Sequence, residues 1–353
     1  MNMEYEVKIG DCRETLKTLP EKSVNCCVTS PPYFGLRSYG GGDAEFGKEE
    51  TPDAFVENLV ELFREVRRVL RDDGTVWLNL GDTYASQRGG TTPPAQTVAG
   101  GVGGKGGEKE RRGQAEGYNP SRDCTRYGLK HKDLIGIPWR VAFALQADGW
   151  YLRQDIIWHK PNPMPESVRD RCTKGHEYIF LLSKKPKYYY DHKAIMEPAI
   201  YGAQHAAKAT SWGTDRKHPN KSNVKDYAFK GDNSTCHKSE DGKYVKNKRS
   251  VWTVTTKPYK GAHFATFPPD LIEPCILAGC PEGGTVLDPF GGSGTTAGVA
   301  VKHGRKAVLC ELSYDYASLI PDRVLKISGK DDEGFTQAMK DRIHKADIEN
   351  MEI

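Results

Sequence analysis

The chain has 353 residues, 37% of them hydrophobic, and a formal charge of +4. That length supports a large core, as one α/β domain with insertions or as two domains, and the small net charge does not by itself mark a nucleic-acid binder. No apolar stretch reaches about 18 residues, and the start, MNMEYEVKIGDCRETL, lacks the basic and apolar regions of a signal peptide, which predicts a cytoplasmic protein with no membrane span. The nine cysteines sit mostly in apolar contexts and form no CxxC pair. They read as reduced core residues, with neither a disulfide framework nor a metal site.

Tyr5 to Ile9 alternates as a strand, and Cys12 to Leu19 predicts a short helix with Asp11 as its N-cap. Val24 to Val28 is a buried strand bounded by turn signals, and it leads into Thr29-Ser30-Pro31-Pro32-Tyr33. Each proline fixes its own φ and pushes the preceding residue out of the helical region, so this strand ends in a stiff, extended tip. Oxygens of the tip can accept from the amino edge of a planar group whose face Tyr33 covers. The plain alternative is a Pro-Pro loop. Residues 34–50 are glycine-rich and predict a mobile loop. Apolar positions from Phe55 to Val69 follow helical spacing across Asp53 to Leu70, Asp72-Asp73-Gly74 stops the pattern, and Thr75 to Leu80 is a second buried strand. Helix followed by parallel strand is the unit of a doubly wound sheet.

Residues 85–130 are rich in glycine and carry more basic than acidic side chains, which predicts an unstructured insertion. Helical spacing returns at Leu134 to Gln146. Two strand-like runs, Leu152 to Trp158 and Glu177 to Leu182, flank a proline-rich segment, and Tyr188 to Tyr190 predicts a further strand in a hairpin. Between 202 and 250 eleven basic residues face five acidic ones, with Trp212, Tyr227, Phe229 and Tyr244 interleaved. This composition suits a nucleic-acid contact surface, the alternative being a solvated linker.

Thr285 to Phe290 is a strand followed by Gly291-Gly292-Ser293-Gly294, a helix-compatible run from Thr295 to His303, and the strand Lys306 to Leu312 containing Glu311. Glycines let the backbone turn and approach a ligand, and the helix N-terminus supplies free N–H groups. A carboxylate about 20 residues on is placed to hold ribose hydroxyls. The pattern points to an adenosine-containing cofactor. Asp288, just before the turn, would repel a pyrophosphate and attract an ammonium, which favours S-adenosylmethionine over NAD or ATP.

Two of these stretches resemble motifs of a known family. Ser30-Pro31-Pro32-Tyr33 resembles the catalytic motif of amino-group DNA methyltransferases, and Asp288 to Thr296 (DPFGGSGTT) resembles their S-adenosylmethionine loop. Catalytic motif first and cofactor loop last is the order of the permuted β group. Gly10-Asp11, the block Trp158 to Leu182, and His263 to Pro268 also match, so the resemblance covers roughly residues 5–325. It implies a doubly wound, Rossmann-like α/β sheet, circularly permuted, with an inserted target-recognition region. The implied division is a catalytic half at 1–84, a glycine-rich basic insertion at 85–130, core continuation at 131–200, target recognition at 201–256, a cofactor-binding half at 257–328 and a charged tail at 329–353.

By the same resemblance Asp288, Phe290, Gly291, Gly292, Gly294 and Thr295 shape the methionine end of a cofactor site, Glu311 binds the ribose, Asp11 lies near the adenine or its ribose, and Thr29 is a further cofactor-binding residue. His263, Phe264 and Phe267 close the pocket from the helix before strand 285–290, although His263 also fits an ordinary satisfied histidine. Ser30 and Pro31 would hold the amino group of a flipped base, with Pro32 stiffening the tip and Tyr33 on the ring. The implied substrate is double-stranded DNA, with Lys217, Lys221, Lys243, Lys246, Lys248 and Arg249 as candidate contacts and no metal. A cognate restriction endonuclease is a possible partner, and the protein is expected to be a monomer or homodimer. Serine at position 30 resembles the N4-cytosine enzymes; N6-adenine methylation is the alternative. RNA or protein-glutamine methylation, or a DNA-binding module without turnover, are the more distant readings.

Overall fold

The computed structural model describes residues 5–35, 44–85, 128–199, 236–238, 242–256, 267–330 and 333–351, without the side chains of 236–238, 333 and 346–351. Its N-terminal half contains strand β1 (Tyr5–Ile9), helix α1 (Cys12–Thr15), strand β2 (Val24–Thr29), helix α2 (Pro52–Val69), strand β3 (Leu70–Leu80), helix α3 (Ile137–Ala147), and strands β4 (Tyr151–His159) and β5 (His176–Ser183). Short strands β6 (Glu197–Pro198), β7 (Cys236–Lys238), β8 (Tyr244–Lys246) and β9 (Val251–Thr253) follow. Helix α4 (Pro269–Gly279), strand β10 (Thr285–Asp288), helix α5 (Thr295–Lys302), strand β11 (Lys306–Glu311) and helices α6 (Tyr314–Ser328) and α7 (Glu333–Met351) complete the described chain.

Eight strands form one sheet in the order β1-β11-β10-β2-β3-β5-β4-β9. The first five run parallel, and β5 is antiparallel to both β3 and β4. The order of strands reverses its walk between β10 and β2. From β10 the next strand, β11, lies on one side; from β2 the next, β3, lies on the other. The carboxyl ends of these two strands flank the crevice in which doubly wound sheets bind ligands.

The central strands are apolar on both faces because helices cover both. On β3, Val76, Leu78 and Leu80 enter the cluster shared with Phe55, Leu59 and Phe63 of α2 and Val141 and Leu145 of α3. Trp77, between them, enters the opposite cluster with Leu271 and Ile276 of α4, Ala297 and Ala300 of α5, Ile320 of α6 and Met339 of α7. Alternation along the strands divides the core into two layers, which gives a three-layer α/β sandwich. Cys12, Cys26, Cys27, Cys275, Cys280 and Cys310 are buried free thiols, consistent with their apolar contexts.

Local chemistry sets the helix limits. Thr51 caps α2 by accepting from the Ala54 N–H (2.9 Å), with Pro52 in the first turn. Asp11 caps α1 by accepting from the Arg13 N–H (2.9 Å). The helix expected from Leu134 begins instead at Ile137. Gly136 is left-handed (φ 80°), Asp82 Oδ1 accepts from the N–H groups of Gly136 (3.0 Å) and Ile137 (3.1 Å), and residue 134 forms a bridge with Tyr84.

Three expectations change. Tyr188 to Tyr190 is not a strand; the Tyr189 N–H donates to Asp73 O (2.8 Å) and Tyr190 stacks on Trp77 with ring centroids 6.2 Å apart. The hairpin at this place is β4 with β5. The described ends of the 34–50 segment are docked, not loose: Phe34 (5% exposed), Glu45 and Phe46 (4%) are buried, and the Gly35 N–H donates to Gly47 O (2.9 Å). Within the region read as a charged tail, α7 packs on the sheet edge through Phe335 on Tyr5 and through the buried Met339 and Ile343. Between 236 and 256, β7 and β8 form a three-stranded antiparallel sheet with β6, and β9 joins the edge of the main sheet beside β4.

Candidate active site

The two glycine- and proline-marked motifs meet in the crevice between β10 and β2. Thr29, the last residue of β2, donates its hydroxyl to Asp288 Oδ1 at the end of β10 (2.7 Å), and both residues are buried. The other oxygen of Asp288 accepts from the Thr296 hydroxyl in the first turn of α5 (2.6 Å), and Oδ1 also accepts from the Phe290 N–H (3.1 Å). One carboxylate thus joins the strand that carries the Pro-Pro tip, the glycine loop and the helix behind it. Burial pushes Asp288 up to about 6, against those hydrogen bonds, which lower it.

Glu311, at the end of β11, accepts from the Gly292 N–H (2.7 Å) and the Ser313 N–H (2.9 Å). Burial pushes it up to about 7, and the Ser313 and Gly292 amides act against the shift. The glycine loop is tight. Gly294 is left-handed (φ 87°), and a Cβ there would lie 2.8 Å from Ile320 Cγ2. Beyond Gly292, Phe290 meets the buried Phe46 edge to face (5.2 Å), and the Arg13 guanidinium lies 5.2 Å over Phe46. Burial works to raise Asp11, but the Arg13 hydrogen bonds and charge prevail and hold its carboxyl below the usual range. Asp11, Phe46, Phe290 and Glu311 therefore edge the same loop.

On the far side of the crevice, the Tyr33 ring lies against the backbone of Gly81, where a Cβ would come within 2.4 Å of Tyr33 Cε2. Its hydroxyl donates to Glu177 Oε2 (2.6 Å), with Asn79 Oδ1 at 3.2 Å. Cys310, beside the loop, is not poised as a nucleophile: its carbonyl accepts from the Gly291 N–H (2.8 Å), and burial pushes its thiol up to about 11.

A family model described as DNA methylase of the N6/N4 type matches residues 24–322. The chain belongs to that family. It is 45% identical to the Type II methyltransferase M.SmaI of Serratia marcescens over 91% of both chains. It is 43% identical to M.Cfr9I of Citrobacter freundii over 89% of this chain and 86% of that one. The solved PvuII cytosine-N4-specific DNA methyltransferase shares the fold, with a TM-score of 0.57 at 18% identity over 96% of this chain and 92% of that one. TTHA0409 of Thermus thermophilus, complexed with S-adenosyl-L-methionine, also shares it (TM-score 0.53, 22% identity, 92% of this chain and 94% of that one).

The methylase is an amino-type DNA methyltransferase, and its methyl donor is S-adenosylmethionine. The residues at the loop fit that donor. Among the described residues, Ser293 Oγ and Thr295 Oγ1 are buried hydroxyls without a hydrogen-bond partner, and the two carboxylates beside them have hydroxyl and amide partners but no cationic one. A cationic ligand rich in hydroxyl and amino donors complements that set.

Several expected residues lie elsewhere. His263 and Phe264 are outside the described residues. Phe267 is two residues before α4, not on it, and packs half-buried against the core. Of the basic candidates, Lys217 and Lys221 are outside the described residues. Lys246 and Arg249 both pair with Glu197, at 3.4 and 2.5 Å, and Lys248 lies 5.2 Å over the Trp252 ring. Lys243 stands at the turn before β8. The basic stripe is thus partly neutralised from within. The sequence reading missed Asn79, Glu177 and Lys160, which surround Tyr33. They come from the ends of three different strands, and no spacing rule connects them.

Proposed function

We propose that the methylase transfers the methyl group to the N4 amino group of a flipped-out cytosine in double-stranded DNA, as part of a restriction-modification system. The observation that carries this reading is the Thr29–Asp288 hydrogen bond (2.7 Å), which ties the strand bearing the Ser30-Pro31-Pro32-Tyr33 tip to the cofactor loop. S-adenosylmethionine, when bound, supplies an electrophilic sulfonium methyl and leaves as S-adenosylhomocysteine.

Asp288, Phe290, Gly291, Gly292, Gly294 and Thr295 would hold the methionine end, Glu311 the ribose, and Asp11 would lie near the adenine or its ribose. An exocyclic amino nitrogen is a poor nucleophile because its lone pair is delocalised into the ring. Ser30 Oγ and the Pro31 carbonyl accept its two hydrogens, which localises that lone pair, and the methylated nitrogen, cationic and strongly acidic, releases its proton to water. Tyr33 stacks on the extruded base, offsetting the few kcal/mol that unstacking costs. The serine hydroxyl at position 30, where an acid or amide would be the adenine-type choice, supports cytosine. The 201–256 region supplies target recognition, and a restriction endonuclease that reads the same sequence is the partner.

Plasmid DNA modified by the purified protein, digested to nucleosides and analysed by mass spectrometry, tests this. N4-methylcytosine is expected; N6-methyladenine would move the assignment to adenine, and no methylated base would overturn it. Ser30→Ala should lower turnover at least about tenfold while leaving cofactor affinity unchanged.

A further inference from the structure

Glu177 is used by nothing in the reaction described above, yet it is half-buried and fully engaged. Its Oε1 pairs with Lys160 Nζ. Its Oε2 accepts from the Tyr33 hydroxyl (2.6 Å) and from Asn79 Nδ2 (3.3 Å). Asn79 is held in turn, because the same Nδ2 donates to Tyr178 O (3.0 Å) while its Oδ1 lies 3.2 Å from the Tyr33 hydroxyl. Lys160 is fixed from below by the face of Trp158, 4.1 Å from Nζ to the ring centroid, and its N–H donates to Gly175 O (2.8 Å). Three strands of the sheet, β3, β4 and β5, therefore converge on one phenol.

The phenol is constrained at its other end as well. Tyr33 follows two prolines, its ring edge rests on the Gly81 backbone, and its carbonyl lies 2.9 Å from where a Cβ of Gly47 would stand. A tyrosine that only needed to present an apolar face would not require a carboxylate, an amide and a lysine behind its hydroxyl. Buried charge is costly unless paired and hydrogen-bonded, and this set satisfies both conditions at the tip of the reactive strand.

We propose that Glu177, braced by Lys160 and Asn79, is a positioning residue that locks the Tyr33 ring in the plane a flipped base must stack on. The inference rests on the DNA amino-methylation reading. The hydroxyl-to-carboxylate bond is charge-assisted and shorter than the bond to Asn79, so Glu177 sets the ring's tilt and Asn79 follows. With the ring pre-set, the incoming base meets an ordered face, and the cost of ordering that face is not subtracted from transition-state stabilisation.

The test compares wild type, Glu177→Gln, Tyr33→Phe and the double variant in single-turnover methylation of a DNA duplex. Each single variant is expected to slow methyl transfer about tenfold with cofactor Kd unchanged, and the double variant to be no slower than the worse single, because both changes remove one contact. With 2-aminopurine at the target position, both singles should fluoresce more brightly than wild type in complex, since a loosened ring quenches the flipped base less. Circular dichroism and Tm separate this from misfolding, and Glu177→Asp, which keeps the charge, should recover part of the rate. Equal rates in wild type and Glu177→Gln, or losses that multiply in the double variant, would overturn the positioning role while leaving the methylation reading intact. Absence of DNA methylation by wild type would remove both.

Discussion

Asp288→Asn probes the carboxylate that joins the two motifs. Burial raises its pKa from 3.8 to about 6. Between those values the folded chain holds a proton that the unfolded chain has lost, so stability falls as pH rises through this window, and the whole penalty is present above about pH 6. That difference corresponds to about 3 kcal/mol. Asparagine removes the charge but keeps an acceptor for one threonine hydroxyl; the other must turn and accept from the amide, at a cost of about 1 kcal/mol. The cofactor-free variant should therefore be about 2 kcal/mol more stable than wild type at pH 8, a rise of about 3 °C in Tm, and no more stable at pH 4.

The gain in stability should carry a loss in binding. If Asp288 faces the cofactor ammonium, wild-type Kd rises about a further tenfold per pH unit below about pH 6, on top of the rise due to Glu311 below about pH 7, because each carboxyl must first ionise. Isothermal titration with S-adenosylmethionine from about pH 5 to pH 8 should show that step in wild type. In Asp288→Asn the affinity should be about a hundredfold weaker at pH 8, with only the step due to Glu311, near pH 7, remaining. Equal affinity of variant and wild type at pH 8, or a stability difference that does not change with pH, would refute the placement of Asp288.

Gly81→Ala should push the Tyr33 ring out of place and lower turnover by about two orders of magnitude, with cofactor binding measured by titration unchanged. Thr29→Val removes a buried hydroxyl from Asp288 and should cost about 1–3 kcal/mol, read as a lower Tm at pH 8. Glu197→Gln releases Lys246 and Arg249 from their internal partner and should steepen the salt dependence of DNA binding by about one unit of log–log slope, measured by fluorescence anisotropy. An unchanged slope would assign those cations to the scaffold.

The parallel half of the sheet was legible because its strands are apolar on both faces and end at punctuation: Gly10-Asp11, Pro31-Pro32, Gly81-Asp82 and the glycine loop at 291–294. The geometry of the candidate site was legible where one motif carries its own residues, as with the placement of Asp288 and Glu311 at the glycine loop. It was illegible where the chemistry is assembled across the sheet. Tyr33 and Glu177 lie 144 positions apart, and only the antiparallel insertion of β5 beside β3 brings them together. Tyr188 to Tyr190 read as a strand from composition alone, whereas stacking of Tyr190 on Trp77 determines its course. Helix α7 was there to be found. Phe335, Met339 and Ile343 recur every four residues, and charge on the remaining positions hid the stripe.

The walk of the strands has a consequence for synthesis. Among the described strands β1 pairs with β11 alone, and β2 lies between β3 and β10, whose Asp288 is made 259 residues after Thr29. On a ribosome β1 and β2 each keep an open edge until β11 and β10 emerge, because those neighbours are encoded far downstream. A truncated chain thus lacks the central pairing of the sheet as well as the cofactor loop. The strand that carries the Pro-Pro tip is joined to the glycine loop only once β10 is in place, through the Thr29–Asp288 hydrogen bond.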